Sequence, residues 1–411
     1  MIQIAILGHG VVGSGVAQVL AQNADHITQK AGDAIAVKRI LDLRAFPDLP
    51  YADRFTTDFN DILTDEEIRI VVETMGGLHP AYEFVKACLE AGKSVVTSNK
   101  ELVAEKGDEL LAIAKANNLN FLFEASVGGG IPILRPLDQC LAANEVYEIA
   151  GILNGTTNFM LTRMLQDNMS FDEALSLAQS LGYAERDPSA DVGGHDACRK
   201  ICILAALAFG KHVYPHQVHT EGITKLTATD VAYAASLGCV IKLIGRVVKE
   251  GDRIHCLVAP MLINRSALLS NVDDVFNAVM VRGDAVGDTV FYGRGAGKLP
   301  TASAVVADVI DEVKHLHARK YLCWGAGDPA YVLPQEQYVC RQFLRFKTTD
   351  PNNLLAQLQT ALPDVTVVNA DVAVENELAV VTPAVSEAAL AAALDKVGGE
   401  CIQQLRMTDW S

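Results

Sequence analysis

The first 135 residues switch repeatedly between two rhythms of apolar and polar positions. IQIAILG is a nearly unbroken apolar run, and VVGSGVAQVLAQN behind it places apolar residues at helical spacing. AVKRILDL reads as a second strand. RIVVETMG and KSVVTSN are further apolar runs separated by the helical PAYEFVKACLEAG, and LNFLFEASVGG closes the series. Alternation of this kind predicts an α/β fold with a doubly wound parallel sheet. Residues 136–295 follow another pattern, with helical stretches at 171–181 and 196–209 and later strand-like runs, CVIKLIGRVV and IHCLVAPMLI. They predict a separate mixed α/β domain. AGKLPTASAVVADVIDEVKHL, within 296–320, is a long amphipathic helix behind a glycine-rich entry, and GAGDPAYVLPQE is expected to be a linker. Residues 335–411 read strand, helix, strand, strand, helix, strand, the βαββαβ order of a ferredoxin-like fold.

Length and composition narrow this picture. A chain of 411 residues is long enough for two or three domains of roughly 150 residues each. Half the residues are hydrophobic and 20% are charged, which fills real cores and argues against disorder. No run reaches the ~18 apolar residues of a membrane span, and the N-terminus enters a strand without a basic leader, so a cytoplasmic protein is expected. A formal charge of −16 argues against nucleic acid and anionic membranes as partners. An anionic cofactor remains compatible with it, because helix N-termini present backbone N–H groups. The nine cysteines contain no C-x-x-C pair, as expected of reduced thiols in a cytoplasm.

Candidate chemistry begins at Gly8-His9-Gly10-Val11-Val12-Gly13, between the first strand and the first helix. In such a turn the first glycine makes the tight bend and the second lets backbone approach a pyrophosphate. The third lets helix and strand pack closely, and the helix start adds its own N–H groups. Asp42, ending the second strand, completes the pattern, but it lies further along than the usual ~20 residues. An extended loop through 23–33 would account for the excess. Asp42 would bond a ribose 2′-hydroxyl and favour NAD, whereas Arg44 would receive the 2′-phosphate of NADP, and both remain open. Thr97-Ser98-Asn99-Lys100 ends a strand at the edge where open parallel sheets bind ligands. Glu124, followed by a glycine-rich turn, could hold a cation, although by chemistry alone it reads as a flexible crossover. In GYAERDPSADVGGHDACRK, Asp196 and Lys200 stand four apart at the start of a helix whose remainder is nearly all apolar and so share a face. If buried, they must be paired or shift in pKa, and such a lysine can transfer a proton. The spacing of a calcium loop is absent, and His195 lacks a full zinc ligand set.

Taken in order, GHGVVG, TSNK, EASVGGGIPI, GILNGTTNFML, GYAERDPSADVGGHDACRK and FYGRGAGKLPTASAV resemble the homoserine dehydrogenases over nearly all of the first 320 residues. The resemblance implies NAD- or NADP-dependent interconversion of L-aspartate 4-semialdehyde and L-homoserine, in threonine and methionine biosynthesis. It implies Lys200 as proton donor and acceptor, Asp196 beside the substrate, and Lys100 as an active-site lysine. Glu185 would hold the substrate's amino group, with Asp191 and Thr156 as further contacts in a pocket lined by residues 154–157. Gly8, Gly10, Val11, Val12, Gly13, Asp42, Arg44, Thr74, Lys100 and Gly295 would hold the cofactor. A monovalent cation, Na or K, would sit at Glu124 and the carbonyls of Val127, Gly129 and Ile131, which reverses the crossover reading. The architecture implied is a Rossmann domain over 1–135 completed by 296–320, a catalytic and dimerisation domain over 136–295, and an ACT-like domain over 335–411. That last domain would take an amino-acid effector, and the assembly would be a homodimer or homotetramer. This chain departs from the family pattern twice: Leu41 stands where many relatives have an arginine, and the ACT-like loop at 350–354 has no glycine. Two rivals are a cofactor-binding amino-acid sensor without catalysis and another amino-acid dehydrogenase. His195 is assigned a structural part.

Overall fold

In the computed structural model, which describes residues 1–318, 322, 324–369 and 374–410, six short strands line up as one parallel sheet. They are β1 Ile2–Leu7, β2 Ile35–Leu41, β3 Phe55–Thr56, β4 Ile68–Glu73, β5 Ser94–Thr97 and β6 Phe121–Leu122, in the order β3-β2-β1-β4-β5-β6. Helices α1 Val11–Gln22, α2 Ala24–Ala31, α3 Asn60–Leu63, α4 Ala81–Glu90 and α5 Lys100–Ala116 connect them. Strands covered on both faces read as unbroken apolar runs rather than alternating ones, and Ile4, Ala5, Ile6 and Leu7 are all fully buried. The strand order reverses between β1 and β4, and the crevice outside the carboxyl ends at that point is where such sheets bind ligands.

The extended loop expected over 23–33 is instead helix α2. Its sequence is mostly polar, but Ile27 and Ala31 fall on one face and are buried, and Gly32 ends it in a left-handed conformation. The helix Lys298–Lys314 returns to the same core. A Cβ on Gly15 would lie 2.8 Å from the Lys298 carbonyl and 3.0 Å from Ala302, so α1 meets this helix at backbone distance. Val16, Leu20, Val72, Ala302, Val305 and Val309 share the resulting core.

By contact the chain divides into two units: residues 1–147, 199–215 and 282–328, and residues 148–198, 216–281 and 329–411. The second unit contains most of β7 Val146–Ile152, then α6 Gly155–Gln166, α7 Phe171–Ser180, α8 Ser189–Val192 and the start of α9 His195–Phe209. It continues with β8 His219–Thr220, α10 Ala228–Ser236, β9 Cys239–Glu250, β10 Arg253–Asn264 and most of β11 Phe276–Gly283. The expected linker at 325–336 carries the chain across the division and is anchored at both ends. Gly325 exchanges backbone bonds with Gly210 and His212, and Leu333 donates to Ile254.

The tail strands Val339–Lys347, Thr366–Val367, Glu377–Val381 and Glu400–Met407 stand in the order fourth, first, third, second. The helices Pro351–Ala361 and Glu387–Leu394 supply Leu354, Leu358 and Leu390 to a core with Leu344, Phe346 and Val380. The expected second strand ran from 365 to 371; residues 370 and 371 lie outside the described residues. Instead of standing apart, the tail sheet continues that of β9 and β10, because Glu400–Met407 pairs in parallel with β10 (Met261 with Arg406, Leu262 with Met407). Among the described residues no helix is long and apolar enough to cross a membrane.

Candidate functional site

The carboxyl ends of β1, β2, β4 and β5 gather the first predicted residues. Gly8 leaves β1 with φ +89°, a conformation that glycine takes without strain. Thr74 donates its hydroxyl to the carbonyls of Gly8 (2.9 Å) and Leu7 (3.1 Å), tying this turn to the neighbouring strand. A Cβ on Gly13 would lie 2.0 Å from the Gly8 carbonyl, so α1 can come this close only without a side chain there. Around Gly10, by contrast, a Cβ would meet nothing within 4 Å. That open space faces the start of α1, where no acid occupies the first turn and Val11 is 67% exposed. The first N–H groups of a helix, here from Val11 onward, have no partner within it, and the helix dipole adds positive potential. The residues therefore fit a pyrophosphate.

Asp42 follows β2 directly. Its carboxylate accepts from the N–H of His9 (2.8 Å) and of Arg44 (3.0 Å), and from Nε (2.9 Å) and Nη2 (2.8 Å) of Arg44. The Arg44 guanidinium beside it holds the carboxyl well below the usual carboxylate range, against the opposing effect of burial. The residues that read as alternatives for a 2′-hydroxyl and a 2′-phosphate thus form one pair, with the acid sheltered and the arginine exposed. His9 is buried edge-on to Phe46 and Phe55, and that burial lowers its pKa.

A residue missed by sequence reasoning connects this edge to the Thr97–Lys100 stretch. Glu73 ends β4 fully buried. Its Oε1 accepts from the N–H of Met75 (2.7 Å) and Gly76 (3.3 Å), and its Oε2 from the Thr97 hydroxyl (2.5 Å). Thr97 Oγ1 in turn accepts the Asn99 N–H (2.9 Å), and Asn99 Nδ2 donates to the Gly77 carbonyl (2.6 Å). Asn99 also caps α5, accepting from the Leu102 N–H at 3.1 Å, so Lys100 is the first residue of that helix. Burial raises the Glu73 pKa against these donors. The visible signal was a charge closing an apolar run, in RIVVE, but the Thr97 hydroxyl that completes its partners comes from the next strand, more than twenty residues away. Next to Lys100, Glu101 accepts from Arg199 Nη2 (3.0 Å), which brings the start of α5 to the part of α9 that carries Lys200.

Glu124 sits in a tight turn. Its carboxylate accepts the N–H groups of Ile133 (2.6 Å), Leu134 (2.9 Å) and Arg135 (2.8 Å), while its own N–H donates to Asp308 (2.8 Å). Arg135 also bonds Asp308 at 2.6 Å, and burial pushes the Asp308 carboxyl up to about 7 against that pull. The acid's geometry is therefore that of a turn organiser, and the predicted carbonyl donors at Val127, Gly129 and Ile131 follow it in the same turn. Gly129 has φ +56°, and a Cβ on it would lie 2.2 Å from the Gly295 carbonyl, so Gly295 packs against this turn. Among the described residues no group of three or more His, Cys, Asp and Glu side chains could hold a metal ion.

In the second unit the polar residues converge on Asn154, the N-cap of α6. Its Oδ1 accepts from the Thr157 N–H (2.8 Å), and its Nδ2 donates to Asp191 (2.6 Å) and to Asp196 (2.9 Å). Thr156 donates to the Tyr183 carbonyl at 2.8 Å, holding the loop that leads to Glu185. Glu185 itself is exposed, with its carbonyl accepting from Gln179. Gly194, at φ +82°, turns the chain from α8 into α9, and a Cβ there would crowd the Glu221 carbonyl at 3.1 Å. His195 opens α9 on the exposed side. Asp196 and Lys200, one helical turn apart, are both buried, with 6% and 7% of their surface accessible.

Known proteins resemble this chain over most of its length. Residues 8–124 match the family described as homoserine dehydrogenase, NAD binding domain, and residues 132–310 match homoserine dehydrogenase. The homoserine dehydrogenase of Neisseria gonorrhoeae is 43% identical over 374 residues, covering 88% of this chain and 85% of its own. That of Bacillus subtilis is 39% identical, covering 85% and 82%. The crystal structure of a homoserine dehydrogenase from Thiobacillus denitrificans superposes with a TM-score of 0.88 at 40% identity, over 99% of this chain and 98% of that one. A hyperthermophilic archaeal homoserine dehydrogenase in complex with NADPH superposes at 0.64 with 28% identity, over 75% of this chain and 97% of its own.

Proposed function

The chain belongs to the homoserine dehydrogenase family, an oxidoreductase family with a nicotinamide-cofactor domain, and from that premise we propose how its residues divide the reaction. Bound NAD or NADP would supply the hydride exchange with C4 of the substrate. Lys200 handles the accompanying proton: it donates to the oxygen of L-aspartate 4-semialdehyde during reduction and withdraws the proton from L-homoserine during oxidation. Asp196, one turn earlier on the same face of α9, holds that lysine in position. Asn154 orients Asp196 and Asp191, and Glu185 receives the substrate's ammonium group, with Thr156 holding its loop. Lys100 would work beside the cofactor, with Gly8, Gly10, Val11, Val12 and Gly13 holding its pyrophosphate and Asp42 and Arg44 its adenosine ribose. Thr74 and Gly295 shape the surrounding backbone.

The observation that carries this reading is the burial of an acid and a lysine one turn apart on a helix that is apolar over most of its length, where a structural pair would cost desolvation energy without evident gain. Replacing Lys200 with Ala is expected to lower turnover of L-homoserine about a thousand-fold with the thermal melt preserved. Near-normal turnover would remove Lys200 from this role. Folded wild-type protein that binds cofactor but turns over neither substrate would return the sensor reading. Further parts of the proposal are a monovalent cation on the carbonyls of Val127, Gly129 and Ile131 beside Glu124, an amino-acid effector at an ACT-like module over 335–411, a homodimer or homotetramer, and a cytoplasmic location.

A further inference from the structure

The reaction as assigned leaves Glu73 without a part, yet this carboxylate closes a ring of hydrogen bonds at the ligand-binding edge of the first unit. One oxygen holds the N–H groups of Met75 and Gly76, and the other holds the Thr97 hydroxyl. Thr97 passes the connection to the Asn99 N–H, and the Asn99 amide returns it to the carbonyl of Gly77. The ring therefore includes both ends of the Gly76-Gly77 turn, whose residues are left-handed (φ +77° and +72°) with open space beside them. It also includes the cap that places Lys100 at the head of α5. On the other side, Thr74, the residue after Glu73, holds the carbonyls of Leu7 and Gly8. Three segments that rise from β1, β4 and β5 thus share one frame, and Glu73 is the only charged group in the ring.

We propose that Glu73 is a positioning residue that fixes Lys100 and the turn at 74–77 as one piece against the cofactor. The proposal rests on the homoserine dehydrogenase reading for Lys100, but not for the turn. Its chemistry is an acceptor problem. A carboxylate can accept on both oxygens, and here one side serves the turn and the other serves Thr97. A glutamine keeps an acceptor for only one of these sides. With its oxygen on the Met75 and Gly76 N–H groups, its amide would face Thr97 and take away the acceptor for that hydroxyl.

Glu73→Gln, Thr97→Val, Glu73→Ala and Lys100→Ala, singly and combined, separate the two sides when steady-state kinetics is run alongside NADPH fluorescence titration and thermal melts. Glu73→Gln and Thr97→Val are expected to lower kcat about tenfold while the NADPH Kd stays within twofold. Glu73→Ala is expected to lower kcat similarly and to raise that Kd fivefold or more. In the Lys100→Ala background, Glu73→Gln should cost kcat less than threefold, because the position of Lys100 no longer matters. An equal tenfold loss in both backgrounds, or unaltered kcat in well-folded Glu73→Gln and Thr97→Val, overturns the proposal. If Glu73→Ala does not fold, the other two variants carry the test. If wild-type protein binds NADPH without turning over L-homoserine, the functional reading fails. The titration then decides for Glu73 alone: an unchanged Kd in Glu73→Ala overturns its role at the turn.

Discussion

Among single residues, Glu312 has the clearest consequence for pH. It lies on the helix Lys298–Lys314, fully buried, with Oε2 receiving Asn120 Nδ2 at 3.3 Å. Burial pushes its carboxyl up to about 8, and the nearby Asp308 and Asp311 add to the shift. An unfolded chain releases that proton near the ordinary glutamate value, so between about pH 4.5 and 8 the folded state binds more protons. Stability contributed by this group is therefore present at low pH and lost as pH rises through that window. Glu312→Gln, measured by urea titration, should gain roughly 3 kcal/mol relative to wild type between pH 5.5 and 8.5. Equal differences at the two pH values would show that Glu312 does not titrate there. Residue identity carried much of the local geometry: Gly8 takes a positive φ and Gly13 a close backbone approach because neither has a side chain, and an acid after β2 was expected. It did not reveal the pairing of Asp42 with Arg44, two residues on, because the direction of side chains leaving a strand end is set by the fold, nor Glu73, whose Thr97 donor comes from the neighbouring strand.

Elements fared according to how strongly period and capping agree. The β1–α1 and β5–α5 joints were legible because an apolar run, a turn signal and a helical period follow one another directly. Helix α2 was not, since ADHITQKA buries only two residues and its composition resembles a loop. The joint before α6 shows how one cap serves structure and chemistry together. Asn154 satisfies the Thr157 N–H through its oxygen and approaches Asp191 and Asp196 through its amide. Serine can replace the cap but not the amide, and cap exchange among Asn, Asp and Ser costs little. Asn154→Ser should therefore keep stability within about 1 kcal/mol, while the KM for L-homoserine rises about tenfold, because Asp191 and Asp196 lose the donor they share. An unchanged KM would assign Asn154 to capping alone.

For the molecule as a whole, the sequence pattern suggested an appended tail, whereas the strand pairing joins the tail to the sheet of the second unit. The reason is not visible in the tail's own βαββαβ rhythm, which would suit a free-standing module equally well. It lies in a few long-range partners. Glu400–Met407 covers the edge of β10, and Tyr338, Cys340 and Trp410 fill the core formed by Ile244, Leu257 and Met261. Arg246, buried on β9, bonds Glu148 (2.7 Å), the Tyr338 hydroxyl (2.8 Å) and Asp409 (3.2 Å), while Trp410 Nε1 donates to Glu148 at 3.0 Å. Arg345 likewise reaches from the tail to Asp230 in α10 at 2.6 Å. Removing residues 335–411 would expose a strand edge and leave Asp230 without its Arg345 partner and Arg246 without two of its three, and breaking one buried pair typically costs about 3–5 kcal/mol. The archaeal relative that spans 75% of this chain shows that a shorter form of the fold exists, so the test bears on this chain's own dependence. A protein ending at Pro334 is expected to melt at least 10 °C lower or to aggregate, in contrast to one carrying only Asp409→Ala, whose side chain is mostly exposed. A truncated chain that melts cooperatively at the full-length temperature would show that the tail is an independent module, and the shared sheet would then contribute nothing to the stability of the second unit.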